Sequence, residues 1–67
     1  MLTIRVNGEH FAASGAKLAD LLAAQGVVRR RGVAVAVNGE VVPAGRWQDH
    51  LLTEGDEVEI VKPIGGG

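Results

Sequence analysis

Apolar residues alternate from the start of the chain: Leu2, Ile4 and Val6 fall on one side and Thr3 and Arg5 on the other, the period of a half-buried strand. Asn7-Gly8 follows. Both residue types tolerate positive φ, so the pair predicts a two-residue hairpin turn, with Glu9 to Ala12 as the returning strand. The period then changes. Leu18, Leu21 and Leu22, with Ala24 beside them, recur at helical spacing within Lys17 to Gln25, which predicts a helix of about three turns. Ser14 is placed to cap its start and Gly26 to end it.

Val33, Val35 and Val37 alternate with Ala34 and Ala36, and because both sets are apolar this strand is expected to lie centrally, with neither face fully wet. Asn38-Gly39 repeats the turn signal before Glu40-Val41-Val42, and Pro43, which has no N–H for a ladder, ends that strand. Ala44 to His50 keeps no period and reads as a short irregular or 3₁₀ piece with Trp47 folded inward over the core. Thr53-Glu54-Gly55-Asp56 is a turn, and Glu57 to Val61 is a last strand with Val58 and Ile60 inward and Glu57 and Glu59 outward. The closing Lys62-Pro63-Ile64-Gly65-Gly66-Gly67 has no period.

The resulting order is strand, strand, helix, strand, short strand, turn, strand. It resembles an α+β fold of the β-grasp or ubiquitin-like kind, a mixed sheet of four to five strands with one main helix packed on one face. That resemblance implies parallel first and last strands at the sheet centre. Residues 1–62 are read as the β-grasp domain and 63–67 as a flexible C-terminal tail.

The chain has sixty-seven residues, and a domain of that size buries only about 60% of the surface its unfolded form exposes, so a large catalytic cleft is not expected. There is no cysteine, which excludes a disulfide scaffold or a thiolate metal site, and His10 and His50 are poor material for a metal centre. With 46% hydrophobic residues and only Phe11 and Trp47 as aromatics, the core must be aliphatic. A formal net charge of −1 argues against a phosphate-backbone binder. Charge is nevertheless segregated, with a basic run at Arg29-Arg30-Arg31 and an acidic last third. No stretch has the length of a membrane span and no signal-peptide order is visible, so the expectation is a cytoplasmic protein with neither nucleic acid nor membrane as partner.

Catalytic material is thin. Glu9 with His10 and Asp49 with His50 are the only acid and base neighbours, and adjacent strand residues point to opposite faces. No Gly-rich segment carries the Lys-Ser/Thr of a phosphate-binding loop. The tail is different. Glycine has no Cβ, so Gly65-Gly66-Gly67 is able to extend, take unusual φ values and pass through a channel too narrow for other residues, ending in a carboxylate.

Taken together, several segments resemble the ThiS family, the sulfur carrier proteins of thiamine biosynthesis. They are the opening strand into Asn7-Gly8-Glu9, Leu18 to Leu22, and Val35-Ala36-Val37-Asn38-Gly39-Glu40-Val41-Val42-Pro43. Trp47 with His50, Gly55-Asp56-Glu57-Val58 and Ile64-Gly65-Gly66-Gly67 complete the set. The resemblance runs essentially end to end. It implies a carrier and not an enzyme, with no catalytic residue or metal of its own and no bound cofactor. By that resemblance Gly67 bears the reactive group, Gly66 supplies the adjacent unhindered peptide, and Gly65 and Ile64 extend the reach; some members carry a small residue such as Ala where Gly65 stands. Pro63 either stiffens the exit from the last strand or simply ends it.

The implied partners are an E1-like adenylyltransferase using ATP and Mg²⁺, a cysteine desulfurase route as sulfur donor, and thiazole synthase as acceptor. Adenylation answers a chemical need: a terminal carboxylate with a pKa of about 3.5 is ionised at neutral pH and a poor electrophile. These partners are expected to dock on the sheet face away from the helix, where the apolar segment Val33 to Val42 offers either a patch or simply core, with the arginine run as an aid to steering. The small subunit of molybdopterin synthase, a non-covalent β-grasp interaction module and a ubiquitin-like protein modifier remain alternatives.

Overall fold

A computed structural model describes residues 2–27 and 32–62; the basic run at Arg29-Arg30-Arg31 and the closing segment 63–67, with Ile64, Gly65, Gly66 and Gly67, lie outside the described residues. The alternating start of the chain forms strand β1 (Leu2–Val6) and returns as β2 (Glu9–Ala13). Asn7 and Gly8 between them take φ of 51° and 85°, the double positive φ of a type I′ hairpin turn, whose twist matches that of the strands. The second Asn-Gly pair does the same between β3 (Ala34–Val37) and β4 (Glu40–Val41), with φ of 52° at Asn38 and 85° at Gly39. A 3₁₀ turn over Ala44–Arg46 precedes the last strand, β5 (Glu57–Val61).

These strands form one sheet in the order β2-β1-β5-β3-β4. β1 and β5 run parallel at its centre and every other pairing is antiparallel. The fold is thus a β-grasp α+β fold. β5, the last strand in sequence, occupies the middle, and β3 stands next to the edge. The expectation of a central β3 with two dry faces is therefore corrected: Val35 and Val37 are buried, whereas Ala34 is exposed and Ala36 half-buried, because a single helix covers only one side of the sheet.

The helix α1 (Leu18–Ala24) is two turns long, shorter than the three expected. Ser14 does not cap it. The residue at the cap position is Lys17, with no side-chain bond, and the first helical N–H groups are satisfied by tertiary contacts instead: Leu18 N–H donates to His50 O at 3.0 Å and Ala19 N–H to Trp47 O at 3.1 Å. A capping side chain is superfluous where another segment's carbonyls already accept those donors. Gly26 ends the helix as expected, at φ 83°. Its N–H donates to Ala23 O and that of Val27 to Leu22 O, the paired bonds of a Schellman motif.

Leu18, Leu21 and Leu22 of α1 close over Ile4, Val6, Val35, Val37, Val58 and Ile60. Trp47 and Leu52 seal one end of this core. Trp47 is folded inward, and its indole Nε1–H donates to Val42 O at 2.9 Å, so that burying the ring leaves no polar atom unpaired.

Candidate functional site

Residues facing away from α1 follow from the strand register. Glu59 of β5 stands beside Ala36 of β3, which stands beside Val41 of β4; Val61 stands beside Ala34. Val41, Ala36, Ala34 and Val61 thus form a contiguous apolar strip on the open face, and the two valines are 74% and 62% exposed. The strip reaches the end of β5, where the chain continues into residues 63–67. Of the segment Val33 to Val42, then, the expected surface patch is supplied by Val41 and the alanines, while Val35, Val37 and Val42 belong to the core. Further along the open face Arg5 and Glu57 approach at 3.5 Å, half exposed, a pair worth little in water.

The exit end of β5 is held by a side chain. On the β1 side, Arg5 N–H donates to Asp56 O just before β5 and Asn7 N–H, just after β1, donates to Val58 O, both at 2.9 Å. The backbone then turns away at Asn7-Gly8. Asn7 Oδ1 accepts from Ile60 N–H at 2.8 Å and its Nδ2 donates to Ile60 O at 3.3 Å. Asn38 serves the opposite end: its Oδ1 accepts from Glu57 N–H at 3.0 Å and its Nδ2 donates to Asp56 Oδ1 at 3.0 Å. An Asn-Gly pair signals the turn in sequence, but nothing in the pair itself signals that the amide will reach a strand some fifty residues on for Asn7 and some twenty for Asn38.

Among the described residues Asp56 is the buried charged one; it lies at the entry to β5, 8% exposed. Burial by itself pushes its carboxyl up. The opposing contributions are larger in sum: the Thr53 backbone N–H donates at 2.8 Å, the Asn38 amide at 3.0 Å and the Thr53 hydroxyl at 2.9 Å, and His50 adds its charge, leaving the pKa below the ordinary value. A carboxyl with a depressed folded-state pKa contributes stability that is present above the unfolded value of about 3.9 and lost as pH falls through the folded one. The acid limb of stability against pH, followed by urea unfolding, is accordingly expected to be shallower in Asp56→Asn. Asp56→Ala, which leaves the Thr53 N–H and the Asn38 amide without their acceptor, is expected to cost about 2–3 kcal/mol at neutral pH. An unchanged acid limb in Asp56→Asn would refute this role.

The histidines build no catalytic pair among the described residues. His10 lies exposed on β2 opposite Arg5, with Glu9 on the other face of the strand. His50 borders a shallow groove with Arg46, Glu40 and Pro43, and no hydrogen bond joins it to Asp49. Among the described residues there is likewise no cluster of three or more metal-ligating side chains, and no helix is long and apolar enough to cross a membrane.

What this domain presents is therefore an apolar strip beside a firmly held strand end that leads into Ile64-Gly65-Gly66-Gly67. A sequence model of the ThiS family matches residues 3–67, which include all of these features. The chain belongs to the ThiS family. It is similar to a curated protein of Escherichia coli, the sulfur carrier protein ThiS, with 36% identity over 39 residues; the matched segment covers 58% of this chain and 59% of that relative's length. It is also similar to the crystal structure of the thiamine biosynthesis protein ThiS from Geobacter metallireducens, at a TM-score of 0.76 and 32% identity, covering 98% of this chain and 100% of that one.

Proposed function

We propose that this chain is a sulfur carrier for thiazole formation in thiamine biosynthesis, acting as a cosubstrate. The observation that carries the reading is the ThiS-family match, which spans the β-grasp domain and continues through Gly67. In the proposed cycle the Gly67 carboxylate attacks the α-phosphorus of ATP on an E1-like adenylating enzyme that holds Mg²⁺, and pyrophosphate leaves. The mixed anhydride turns an unreactive carboxylate into an acyl donor with AMP as leaving group. Persulfide sulfur from a cysteine desulfurase route attacks the acyl carbon and displaces AMP, and a thiol reductant then cleaves the resulting acyl disulfide, releasing a disulfide and leaving a C-terminal thiocarboxylate. That sulfur is a soft nucleophile, and thiazole synthase takes it into the ring. Gly66 and Gly65 supply a reach without side chains near the reacting end, and Ile64 extends it.

Two different enzymes must engage one small domain, and the strip of Val41, Ala36, Ala34 and Val61 beside the exit is the surface proposed for docking both. A charge there should be tolerated by the fold, since Val41 and Val61 are mostly exposed, yet be unfavourable in a dry interface. Val41→Asp with Val61→Asp is expected to leave the thermal midpoint within a few degrees and to weaken binding to the adenylating enzyme by about 10² or more, measured by calorimetry. Undiminished binding would place the docking surface elsewhere.

The test of the function is the intact mass of the protein after incubation with an adenylating enzyme, ATP, Mg²⁺ and a sulfur donor. One terminal oxygen replaced by sulfur, followed by sulfur transfer when thiazole synthase and its substrates are added, is the expected result. No mass change, with a partner shown active on its own carrier, would overturn the proposal in favour of a non-covalent interaction module.

A further inference from the structure

We propose that Asn7 is a positioning residue for the reaction at the chain terminus: its side-chain amide fixes the direction in which β5 hands the chain on to residues 63–67. The proposal deepens, and rests on, the sulfur-carrier reading. β5 outruns its neighbour β1, which ends at Val6, so beyond Val58 the β1 side of β5 would have no partner. The Asn7 amide takes the next rung, accepting from Ile60 N–H at 2.8 Å and donating to Ile60 O at 3.3 Å. One planar amide thereby replaces the peptide unit that a straight continuation of β1 would have offered, and only one orientation of that amide satisfies both Ile60 groups. On the other side Ile60 and Val61 are paired with Val35 and Ala34 of β3, and Lys62 Nζ reaches Gln25 O at 3.4 Å. The strand is thus held near its exit by Asn7 at Ile60 and by β3 at Ile60 and Val61.

The turn alone does not require this side chain, since the first position of a type I′ turn accepts glycine as readily as asparagine. Asn38 provides an internal comparison: it has the same turn and nearly the same φ, and it also bonds β5 through its amide, but at Glu57, the end remote from the exit. If each asparagine merely supported the fold, the two would behave alike in the reaction. Adenylation, by contrast, requires the terminal carboxylate to sit at attack distance from the α-phosphorus, and the end of β5 is the base from which it is aimed. Releasing Ile60 widens the range of exit directions without touching the apolar strip. Fewer docked complexes then hold the carboxylate in place, which lowers kcat. Loss of folded carrier, in contrast, lowers the concentration of competent substrate and raises the apparent KM.

Full-length Asn7→Gly and Asn38→Gly are compared with the wild type on an E1-like adenylating enzyme with ATP and Mg²⁺, following pyrophosphate release over a range of carrier concentrations. Amide hydrogen exchange at Ile60 and thermal melts are recorded on the same samples. Asn7→Gly is expected to lose roughly five- to tenfold in kcat, with KM within about twofold and faster exchange at Ile60. Asn38→Gly is expected to keep kcat, whatever its melting point. A wild-type kcat in Asn7→Gly, equal kcat losses in both variants, a loss confined to KM, or undiminished protection of Ile60 would each overturn the assignment. If the wild type itself releases no pyrophosphate with a competent partner, the sulfur-carrier reading fails and the positioning role falls with it, while Ile60 exchange still reports whether the clamp exists.

Discussion

Deletion of Gly67 is expected to abolish thiocarboxylate formation while leaving the melting curve unchanged. The shortened chain still ends in a carboxylate, now on Gly66, so charge and chemistry at the terminus are formally preserved. What changes is reach: one residue of extended chain spans about 3.5 Å, and displacement by even 1 Å from attack geometry is able to cost about 10² in rate. Among the described residues the buried core runs to Ile60 and the sheet pairing to Val61, and the deletion removes none of these contacts. Extending the chain beyond Gly67 should be equally complete in effect, because an amide has no carboxylate oxygen with which to attack ATP. Intact mass after the coupled reaction and a thermal melt read the two halves of this prediction. A truncated chain that still gains sulfur would show that the reaction does not depend on the reach that Gly67 supplies.

The largest structural effect is expected from Trp47→Ala. Trp47 is 6% exposed, donates its indole N–H to Val42 O and accepts the Ala19 N–H at its carbonyl, so it ties the start of α1 to the segment leaving β4. Truncating a buried tryptophan costs about 3–5 kcal/mol. A single core in a domain this small rarely supplies more than about 3–5 kcal/mol in total. The variant should therefore be largely unfolded at 25 °C by circular dichroism. Trp47→Phe keeps most of the buried ring and loses the bond to Val42, which should lower stability by about 1–2 kcal/mol and preserve a cooperative transition. A melting point for Trp47→Ala within a few degrees of the wild type would contradict the placement of this ring at the end of the core.

Element order, both Asn-Gly hairpins, the Gly26 helix stop and the inward side of β5 were legible because each depends on a few neighbouring residues: a period of two, positive φ, a missing Cβ. Local pattern does not decide where the deciding partner is remote. Ser14 looked like a helix cap, yet the helix starts later because His50 and Trp47 offer their carbonyls to Leu18 and Ala19. Ala34 and Ala36 looked buried because alanine is apolar, yet a sheet with its one helix on one side leaves them on the open face. Backbone tolerance accounts for Asn7 and Asn38 as turn residues, whereas their amides bond to β5.

By itself, then, the sequence determined the elements, the aliphatic core residues and the glycine-rich end, since local sterics and hydrophobic period act over a few positions. Resemblance to the ThiS family added the meaning of that end. The β-grasp resemblance implied β1 and β5 side by side at the sheet centre; only the tertiary structure decided that β3 flanks β5 on its other side, that Val41 and Val61 share one exposed strip, and that an asparagine from the first hairpin holds Ile60 near the end of the last strand. Each of these depends on pairing between residues far apart in the chain, and the energy of such pairing is a property of the whole sheet and not of any segment within it.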